Sequence, residues 1–232
     1  MWRSILFLFI SGAVCLGAGS GSPLGAWGID IVGRDRGICY LTFSNNFTET
    51  GYGISIGALG PFQVAGTWDI NEHQQLVGGF TQFIDSGSAG AEFKGKVKNN
   101  MLSVHVRTTE GPFTMKGRPA DSIADLSGAW NAKVRENGKP FFVTFTSALS
   151  SNTPAWFDLS GAGVNNNGSF TIGGAIVITP DNRVAAYTVY DYGTSTETDS
   201  FVGHLVRHGK RLALRGKTQN GQAANIRAEL AP

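Results

Sequence analysis

The stretch LSGAW at Leu126–Trp130 has a shorter counterpart, LGAW, at Leu24–Trp27. In both places the residues that follow include apolar side chains at every second position, which is the pattern of a half-buried β-strand. A chain that opens in the same way twice, about 100 residues apart, indicates an internal duplication.

The similarity between the two halves continues beyond this motif. We align CYLTF with FFVTF, FKGKV with FVGHL and LSVHV with LALRG, in segments that begin at residues 39 and 141, 93 and 201, and 102 and 212. Glycines and apolar positions keep their register although few residues are identical. Pro119 interrupts the pattern in the joint GRPADSIAD at 117–125. The sequence therefore predicts domains at 23–118 and 126–232 and a linker at 119–125.

Each half divides into about eight runs of strand type, separated by turn sequences such as GRDRG, ENGKP and RHGKR. Apolar and polar residues alternate cleanly in Leu102–Arg107, and no segment has a sustained helical period. Closure of such strands into a barrel leaves no exposed sheet edge. We expect an all-β fold of two tandem antiparallel up-and-down eight-stranded β-barrels that arose by duplication.

Two other arrangements fit the same strands. Each half could form a β-sandwich, or all strands together could form one sixteen-stranded outer-membrane barrel. Charged residues on faces that would meet lipid, and the division into two similar halves, argue against the membrane barrel. Whether the halves form separate barrels or one joined sheet stays open at this point.

The L-x-G-x-W pattern of Leu126–Trp130, and its shorter form at Leu24–Trp27, resembles the first strand of lipocalin-like and avidin-like (calycin-type) barrels. In those families the Trp closes one end of an eight-stranded meander that holds a small ligand. The resemblance implies this architecture for each half. The polar ligand residues of avidin-type barrels have no match after Trp27 or Trp130, so a ligand set is not implied.

The first residues, MWRSILFLFISGAVCLGAGSGS, combine one Arg, a short apolar stretch and several small residues. This combination is typical of a secretory signal peptide, here residues 1–22. An uncleaved anchor or a lipoprotein site at Cys15 would be the alternatives. We therefore expect a secreted or periplasmic protein with no membrane span after cleavage of the signal.

Charge and cysteine content narrow the function further. The formal net charge is +2, which argues against nucleic-acid binding because that function requires a strongly basic surface. Cys39 is the cysteine that remains after signal cleavage, and it aligns with Phe141. Because its face of the strand is apolar, we expect a buried thiol rather than a reactive one.

Catalytic and metal-binding patterns are missing from the sequence. The G-x-S-x-G match at Gly53–Gly57 lies within a run of strand type and not at a strand-to-helix elbow, and no glycine-rich loop stands between a strand and a helix. His204 and His208 are four residues apart, but no third metal ligand accompanies them. Acidic residues such as Asp199 cannot be paired from sequence alone. We expect a non-enzymatic protein without a catalytic site, a cofactor or a bound metal.

Aromatic residues are the candidate ligand-binding side chains, because apolar linings with a few polar groups form ligand pockets. The seven candidates are Trp27, Trp68, Phe83, Trp130, Trp156, Tyr187 and Tyr190. An eight-stranded barrel is wide enough either to be packed solid or to hold one small ligand. With an open interior, the protein would hold a small apolar or amphipathic molecule.

A filled interior would favour the alternative function, a structural or adhesion module of the cell envelope or extracellular matrix that binds protein or glycan through its outer faces and loops. Basic residues at Lys94–Lys98 and Arg207–Lys217 could form a patch for an anionic glycan or lipid headgroup, or a solvated face that prevents sheet association. The polar stretch Val189–Ser200 is predicted to be a long loop suited to a partner contact.

Overall fold

A computed structural model describes residues 21–57, 60–151, 153–207 and 209–232. The predicted signal peptide lies outside the described residues except for its last two, and Cys15 and His208 lie outside them as well. The regular elements of the described residues are sixteen β-strands. Within the same ranges, none of the structure is a helix long and apolar enough to cross a membrane.

The first eight strands form a closed barrel in which each strand pairs with the next along the chain. They are β1 (Gly25–Gly33), β2 (Gly37–Phe43), β3 (Thr48–Ser55), β4 (Gly60–Ile70), β5 (Leu76–Ile84), β6 (Gly87–Lys98), β7 (Met101–Thr108) and β8 (Phe113–Pro119). Antiparallel pairing of β1 with β8 closes the ring.

The remaining strands form a second closed barrel of the same order. They are β9 (Gly128–Glu136), β10 (Lys139–Leu149), β11 (Trp156–Asn165), β12 (Gly168–Ile178), β13 (Arg183–Asp191), β14 (Thr196–Val206), β15 (Arg211–Thr218) and β16 (Ala223–Leu230). Pairing of β16 with β9 closes it. The prediction of two tandem up-and-down eight-stranded barrels is confirmed, and neither a joined sheet nor a sixteen-stranded barrel forms.

The motif that opens each half has the same role in both barrels. The indole N–H of Trp27 donates a 2.6 Å hydrogen bond to the carbonyl oxygen of Pro23, and that of Trp130 a 3.0 Å bond to the carbonyl of Leu126. Both indoles are fully buried where the first strand begins. Each tryptophan therefore ties the preceding segment to one end of its barrel, which is the position that the lipocalin resemblance implies.

Glycines on the third strand of each barrel make room for an aromatic ring on the fourth. Gly53 faces Phe62, and Gly163 faces Phe170. A Cβ atom at either glycine would lie 2.6 Å from Cζ of the facing ring. The same packing at corresponding positions shows that the duplication extends to the filling of the interiors.

The strand register corrects the alignment of Cys39. Ile29 pairs with Cys39 in the first barrel, and Ala132 pairs with Val143 in the second. Because Trp27 corresponds to Trp130, Cys39 corresponds to Val143 and not to Phe141. A shift of two residues leaves the side chain on the same face, so the thiol still points inward and is buried, as predicted.

The two barrels pack side by side through apolar residues on their outer faces. Ile38, Tyr40 and Ile54 of the first barrel join the core of the second, against the outer side of β12 and β13. Gly28 admits Pro180 at this contact, since a Cβ atom there would lie 2.5 Å from the proline Cδ. Strand β2 is therefore buried on both sides, which explains its nearly continuous apolar sequence.

Polar contacts accompany this interface. Tyr40 donates a 2.6 Å hydrogen bond to the Ile178 carbonyl, and Tyr52 donates one to the carbonyl of Pro154. Arg183 forms a 3.2 Å ion pair with Asp30 across the boundary. Apolar burial together with hydrogen bonds and an ion pair is the pattern of a fixed contact rather than a flexible tether.

Candidate functional site

Four of the seven predicted ligand residues fill the barrel interiors or their ends. Trp27, Trp68, Trp130 and Tyr190 are each no more than 6% exposed. Trp68 packs edge-on against Phe43, with ring centroids 5.9 Å apart. These side chains form the cores of the two barrels.

The other three predicted residues lie outside the interiors. Trp156 contacts Tyr52 across the boundary between the barrels, with ring centroids 6.0 Å apart. Tyr187 lies at the same boundary beside Gly60. Phe83 is 48% exposed on the outer surface of the first barrel. The seven side chains therefore do not meet in one place.

The interiors leave little free space. The cavity among the described residues of the second barrel has a volume of about 10 Å³, and the one in the first barrel is of the same size. Such a volume accommodates about one water molecule. Apolar side chains, including Phe145 and Ile172 in the second barrel, fill the remaining space. A small apolar molecule has no room there.

A basic surface covers the outer face of three neighbouring strands in the second barrel. Its members are exposed cations that point outward from β9, β15 and β16: Lys133, Arg135, Arg215, Lys217 and Arg227. We call this set the basic face. No carboxylate of the described residues forms an ion pair with any of the five.

Strand register shows how the basic face is arranged. Lys133 lies directly opposite Arg227, and Arg135 lies opposite Asn225, which in turn faces Arg215. Directly opposed residues on one face of a sheet have Cβ atoms about 5 Å apart, and like charges at that distance repel. The cations are therefore held together by the closed barrel and not by contacts among themselves.

An exposed aromatic residue borders the basic face. Phe142 is opposite Lys133 and is 69% exposed, and the Lys133 Nζ lies 5.6 Å from its ring centroid. Val164 is opposite Phe142 on the next strand and is 62% exposed. Apolar side chains thus extend the row that begins with Arg227 and Lys133.

The predicted basic stretch 207–217 is only partly available as a binding surface. Arg207 and Arg211 both approach Glu229, at 3.9 Å. Arg215 and Lys217 belong to the basic face. In the first barrel, Lys94, Lys96 and Lys98 lie on the outer side of β6 and are exposed.

The predicted long loop at Val189–Ser200 is wrong in extent. Strand β13 continues to Asp191 and β14 begins at Thr196, so four residues connect them. The stretch is polar, which favours a loop, but most of its residues continue the two strands. Asp199 instead points into the barrel and is buried.

An acidic pair, of which Asp199 is buried and Glu136 is half-buried, occupies the end of the second barrel formed by the β9–β10, β11–β12, β13–β14 and β15–β16 turns. Asp199 on β14 and Glu136 on β9 interact across the interior, and Glu197 acts on both. Asp199 Oδ2, Tyr190 Oη and Thr188 Oγ1 are buried and form no hydrogen bond with the described residues. Buried polar groups without partners are rare in native structures.

Burial and like charge raise the pKa values of this cluster. Burial and, after it, repulsion from the Glu136 carboxyl raise the pKa of Asp199 to about 8. The pKa of Glu136 is also raised, again mainly by burial. At neutral pH the pair therefore retains a proton.

The first barrel contains a different buried acid. Glu49 on β3 is 1% exposed, and neither carboxyl oxygen has a partner among the described residues. Burial raises the pKa of Glu49 to about 8, so this side chain is neutral at pH 7. Strand register places Leu159 at the corresponding position of the second barrel.

His204 is one of the two histidines whose spacing could contribute to a metal site. His204 contacts Arg183 at 2.9 Å, beside the ion pair with Asp30, and its pKa is lowered by burial and by that arginine. In the described ranges, no group of three or more His, Cys, Asp or Glu side chains is arranged to hold a metal ion. This histidine belongs to the contact between the barrels.

Two features were missed from the sequence. Lys133 and Arg227 stand 94 positions apart and become neighbours only because β16 closes onto β9. Glu136 and Asp199 meet inside the same closed ring. The available signal was in the alternation: Glu136, Glu197 and Asp199 occupy positions that continue the inward-facing series of their strands.

Comparisons with known proteins provide no family assignment. No family model matches the chain, and no curated protein matches it. A redesigned β-barrel aligns with a TM-score of 0.40 and 12% identity over 46% of this chain and 92% of its own. A DUF3598-family protein of unknown function from Nostoc punctiforme aligns with a TM-score of 0.27 and 12% identity over 90% of this chain and 96% of its own. The fold assignment therefore rests on the strand pairing of this chain itself.

Proposed function

We propose that this chain is an exported, non-enzymatic binding module that takes an anionic glycan on the basic face of its second barrel. The observation behind the proposal is the direct opposition of Lys133 and Arg227 with no carboxylate partner among the described residues. The protein would act as an adhesion module of the cell envelope or matrix rather than as a carrier of small molecules.

Filled interiors support a binding site on the outside. A carrier barrel needs a pocket of several hundred Å³ for a drug-sized ligand. The cavities in these barrels are about 10 Å³. Of the aromatic residues predicted to line such a pocket, Trp68 packs on Phe43, Tyr190 packs on Phe170, and Trp156 packs on Tyr52 of the opposite barrel. Recognition of a partner then falls to surface side chains.

The chemistry of the basic face suits a linear polyanion. Neighbouring strands are about 4.8 Å apart, so cations on β9, β15 and β16 offer charges at regular short intervals. Asn225 lies between Arg135 and Arg215 and can bond to hydroxyl groups. The exposed ring of Phe142 offers an apolar platform for the face of a sugar ring. Sulfate or carboxylate groups would relieve the repulsion between Lys133 and Arg227.

Export is the second part of the proposal and rests on residues 1–22. Their single Arg, apolar stretch and small residues have the composition of a signal peptide. The intact mass and N-terminal sequence of protein recovered from the host envelope or medium would test it. Recovery of the uncleaved chain only from the cytoplasm would overturn it.

Glycan binding can be tested with two probes of known charge, a heparin oligosaccharide and an oligogalacturonate. The double variant Lys133→Gln/Arg227→Gln is compared with Lys94→Gln/Lys98→Gln, which removes the same charge from the outer face of the first barrel. We expect at least a tenfold rise in Kd for the first variant and less than a twofold change for the control. Affinity should fall as salt is added, because these contacts are exposed.

Three results would contradict the proposal. The unchanged protein could fail to bind either probe at low salt, or both variants could lose affinity equally, which would indicate diffuse attraction. Binding of single-stranded DNA of equal length with the same affinity and the same sensitivity to Lys133→Gln/Arg227→Gln would show a general polyanion surface rather than a glycan site.

A further inference from the structure

We propose that Glu136 and Asp199 form a proton-controlled latch that keeps one end of the second barrel closed. While the two carboxyls hold a proton between them, the end stays packed. When that proton is lost, the two negative charges drive the end apart and water enters the interior.

The position of the two side chains supports this role. Glu136 ends β9, whereas Asp199 lies near the start of β14, and β15 and β16 stand between them in the barrel wall. The carboxyls therefore approach each other through the interior and not along the sheet. Gln219 N–H donates a 2.7 Å bond to the Thr198 carbonyl, and Asn137 N–H a 3.0 Å bond to that of Ala223, at the same end. Repulsion between the two carboxylates would break these two terminal backbone hydrogen bonds first.

The surroundings offer no charge that could hold two carboxylates together. The titratable groups that act on Asp199 are Glu136 from β9, Tyr190 from β13 and Glu197 from β14 itself. Glu136 and Glu197 raise the pKa of Asp199, whereas the neutral Tyr190 hydroxyl lowers it, and no Lys, Arg or His of the described residues contributes to the shift of Asp199 or Glu136. A buried Asp199 carboxylate beside a half-buried Glu136 carboxylate, with no cation between them, is strongly destabilising.

Unsatisfied hydroxyls mark where water would enter. Tyr190 is 1% exposed, and its Oη has no hydrogen-bond partner among the described residues. Thr188 Oγ1 is also buried without a hydrogen-bond partner among the described residues, and Thr188 lines the cavity in the middle of the barrel. Water that reached Asp199 would therefore gain bonds to both hydroxyls and a path to the cavity. The opened end would expose the edge-packed rings of Phe170 and Tyr190, whose centroids are 5.1 Å apart.

The first barrel lacks this device, which makes it an internal control. Strand register places Gly33 where the second barrel has Glu136, and Ala91 where it has Asp199. Gln82 stands at the position of Tyr190. A pH-dependent opening confined to the second barrel is therefore the specific expectation.

The direction in which opening depends on pH follows from the raised pKa of an acidic group. The closed form binds the proton more tightly than the open form, in which Asp199 has an ordinary pKa of 3.8. The contribution of the pair to closure is complete below that value and is lost as the pH rises through about 8. Opening therefore increases with pH.

Hydrogen–deuterium exchange measured by mass spectrometry can test the latch. Protection of peptides that cover the β15–β16 hairpin and the start of β14 is compared at pH 6 and pH 9, after correction for the intrinsic exchange rate. The Glu49→Leu background removes the buried acid of the first barrel, which titrates in the same range. We expect at least a tenfold loss of protection at pH 9 in the second barrel and less than a threefold change in the corresponding β6–β8 peptides.

Matched variants test whether ionisation of Asp199 causes the loss of protection at pH 9. Asp199→Asn should retain its protection at pH 9, whereas Asp191→Asn, an exposed acid at the end of β13, should behave like the parent. Because an amide at 199 could impair folding, Asp199→Ala, the residue found at the corresponding position 91, provides the second variant. Loss of protection at pH 9 in a folded Asp199 variant, equal loss in both barrels, or no loss in the parent would each overturn the proposal.

Discussion

The hydroxyl group of Tyr40 donates a 2.6 Å hydrogen bond to the carbonyl oxygen of Ile178, 138 positions later in the chain. Tyr40 is 4% exposed and points outward from β2 of the first barrel, and Ile178 ends β12 of the second. The bond therefore joins two closed barrels through a surface that would otherwise face water. Packing of this surface against the second barrel explains why Ile38 and Tyr40 stand at outward positions of β2.

Loss of this bond should weaken the contact between the barrels. Tyr40→Phe leaves the Ile178 carbonyl buried without its partner, which costs about 1–3 kcal/mol. Tyr52→Phe is the matched control, because its acceptor, the Pro154 carbonyl, is in an exposed contact that water can replace. Urea unfolding at equal protein concentration measures both. Equal losses for the two variants would show that burial of the acceptor does not matter.

Glu49 should make the stability of the first barrel depend on pH. Burial raises the pKa of Glu49 from 4.5 to about 8 in the folded protein. The folded state then binds more protons than the unfolded state between these two pH values. The stabilisation that the protonated Glu49 carboxyl contributes is therefore complete below pH 4.5 and is lost as the pH rises through about 8. Glu49→Leu, which introduces the residue found at the corresponding position 159, should remove this dependence.

The difference in unfolding free energy between Glu49→Leu and the parent is measured by urea unfolding at pH 5, 7 and 9. We expect the variant to gain on the order of 3 kcal/mol relative to the parent across this range, since one pKa unit corresponds to about 1.4 kcal/mol. Glu92→Gln removes the same charge from an exposed position of β6 and should show no such trend. A constant difference for Glu49→Leu would mean that the buried carboxyl is not neutral at pH 7.

The two glycine–phenylalanine contacts should differ in whether a smaller residue in place of the phenylalanine restores the stability lost by replacing the glycine with alanine. At Gly163 an added Cβ would meet the Phe170 ring at 2.6 Å and backbone only at 3.0 Å, whereas at Gly53 it would also meet the Ile38 carbonyl at 2.3 Å. Both alanine variants should lose about 1–3 kcal/mol by overpacking.

Phe170→Leu should restore most of the loss in Gly163→Ala, while Phe62→Leu should leave Gly53→Ala impaired, because a backbone atom cannot move aside. Double-mutant cycles of unfolding free energy measure this coupling. Equal rescue in both barrels would contradict the difference in backbone clearance.

The thiol of Cys39 should be unreactive in the folded protein. The side chain is 1% exposed, and burial raises its pKa, so little thiolate forms at neutral pH. Its reaction with a disulfide reagent should proceed only at the rate of unfolding, and should become fast in urea. Rapid modification of the native protein would show that the interior of the first barrel is open to solvent.

The sequence by itself determined the faces of the strands. Because side chains alternate at every second residue, apolar series such as Leu102–Val106 identify inward positions without reference to any neighbour. The repeated LGAW and LSGAW motifs located the first strand of each barrel, and turn residues limited the others. The strand count, the meander order and the inward position of Cys39 follow from these local features.

Only the tertiary structure decided which faces meet. Lys133 and Arg227 became neighbours when β16 closed onto β9, and Glu136 and Asp199 when their carboxyls met inside the ring. Among the aromatic residues predicted as a ligand lining, four lie in the barrel cores and Phe83 lies on the outer surface. The remaining two, Trp156 and Tyr187, lie at the contact between the barrels. Alternation specifies the side of a strand on which a residue lies. Ring closure and the packing of one barrel on another depend on contacts between distant segments, which no local pattern specifies.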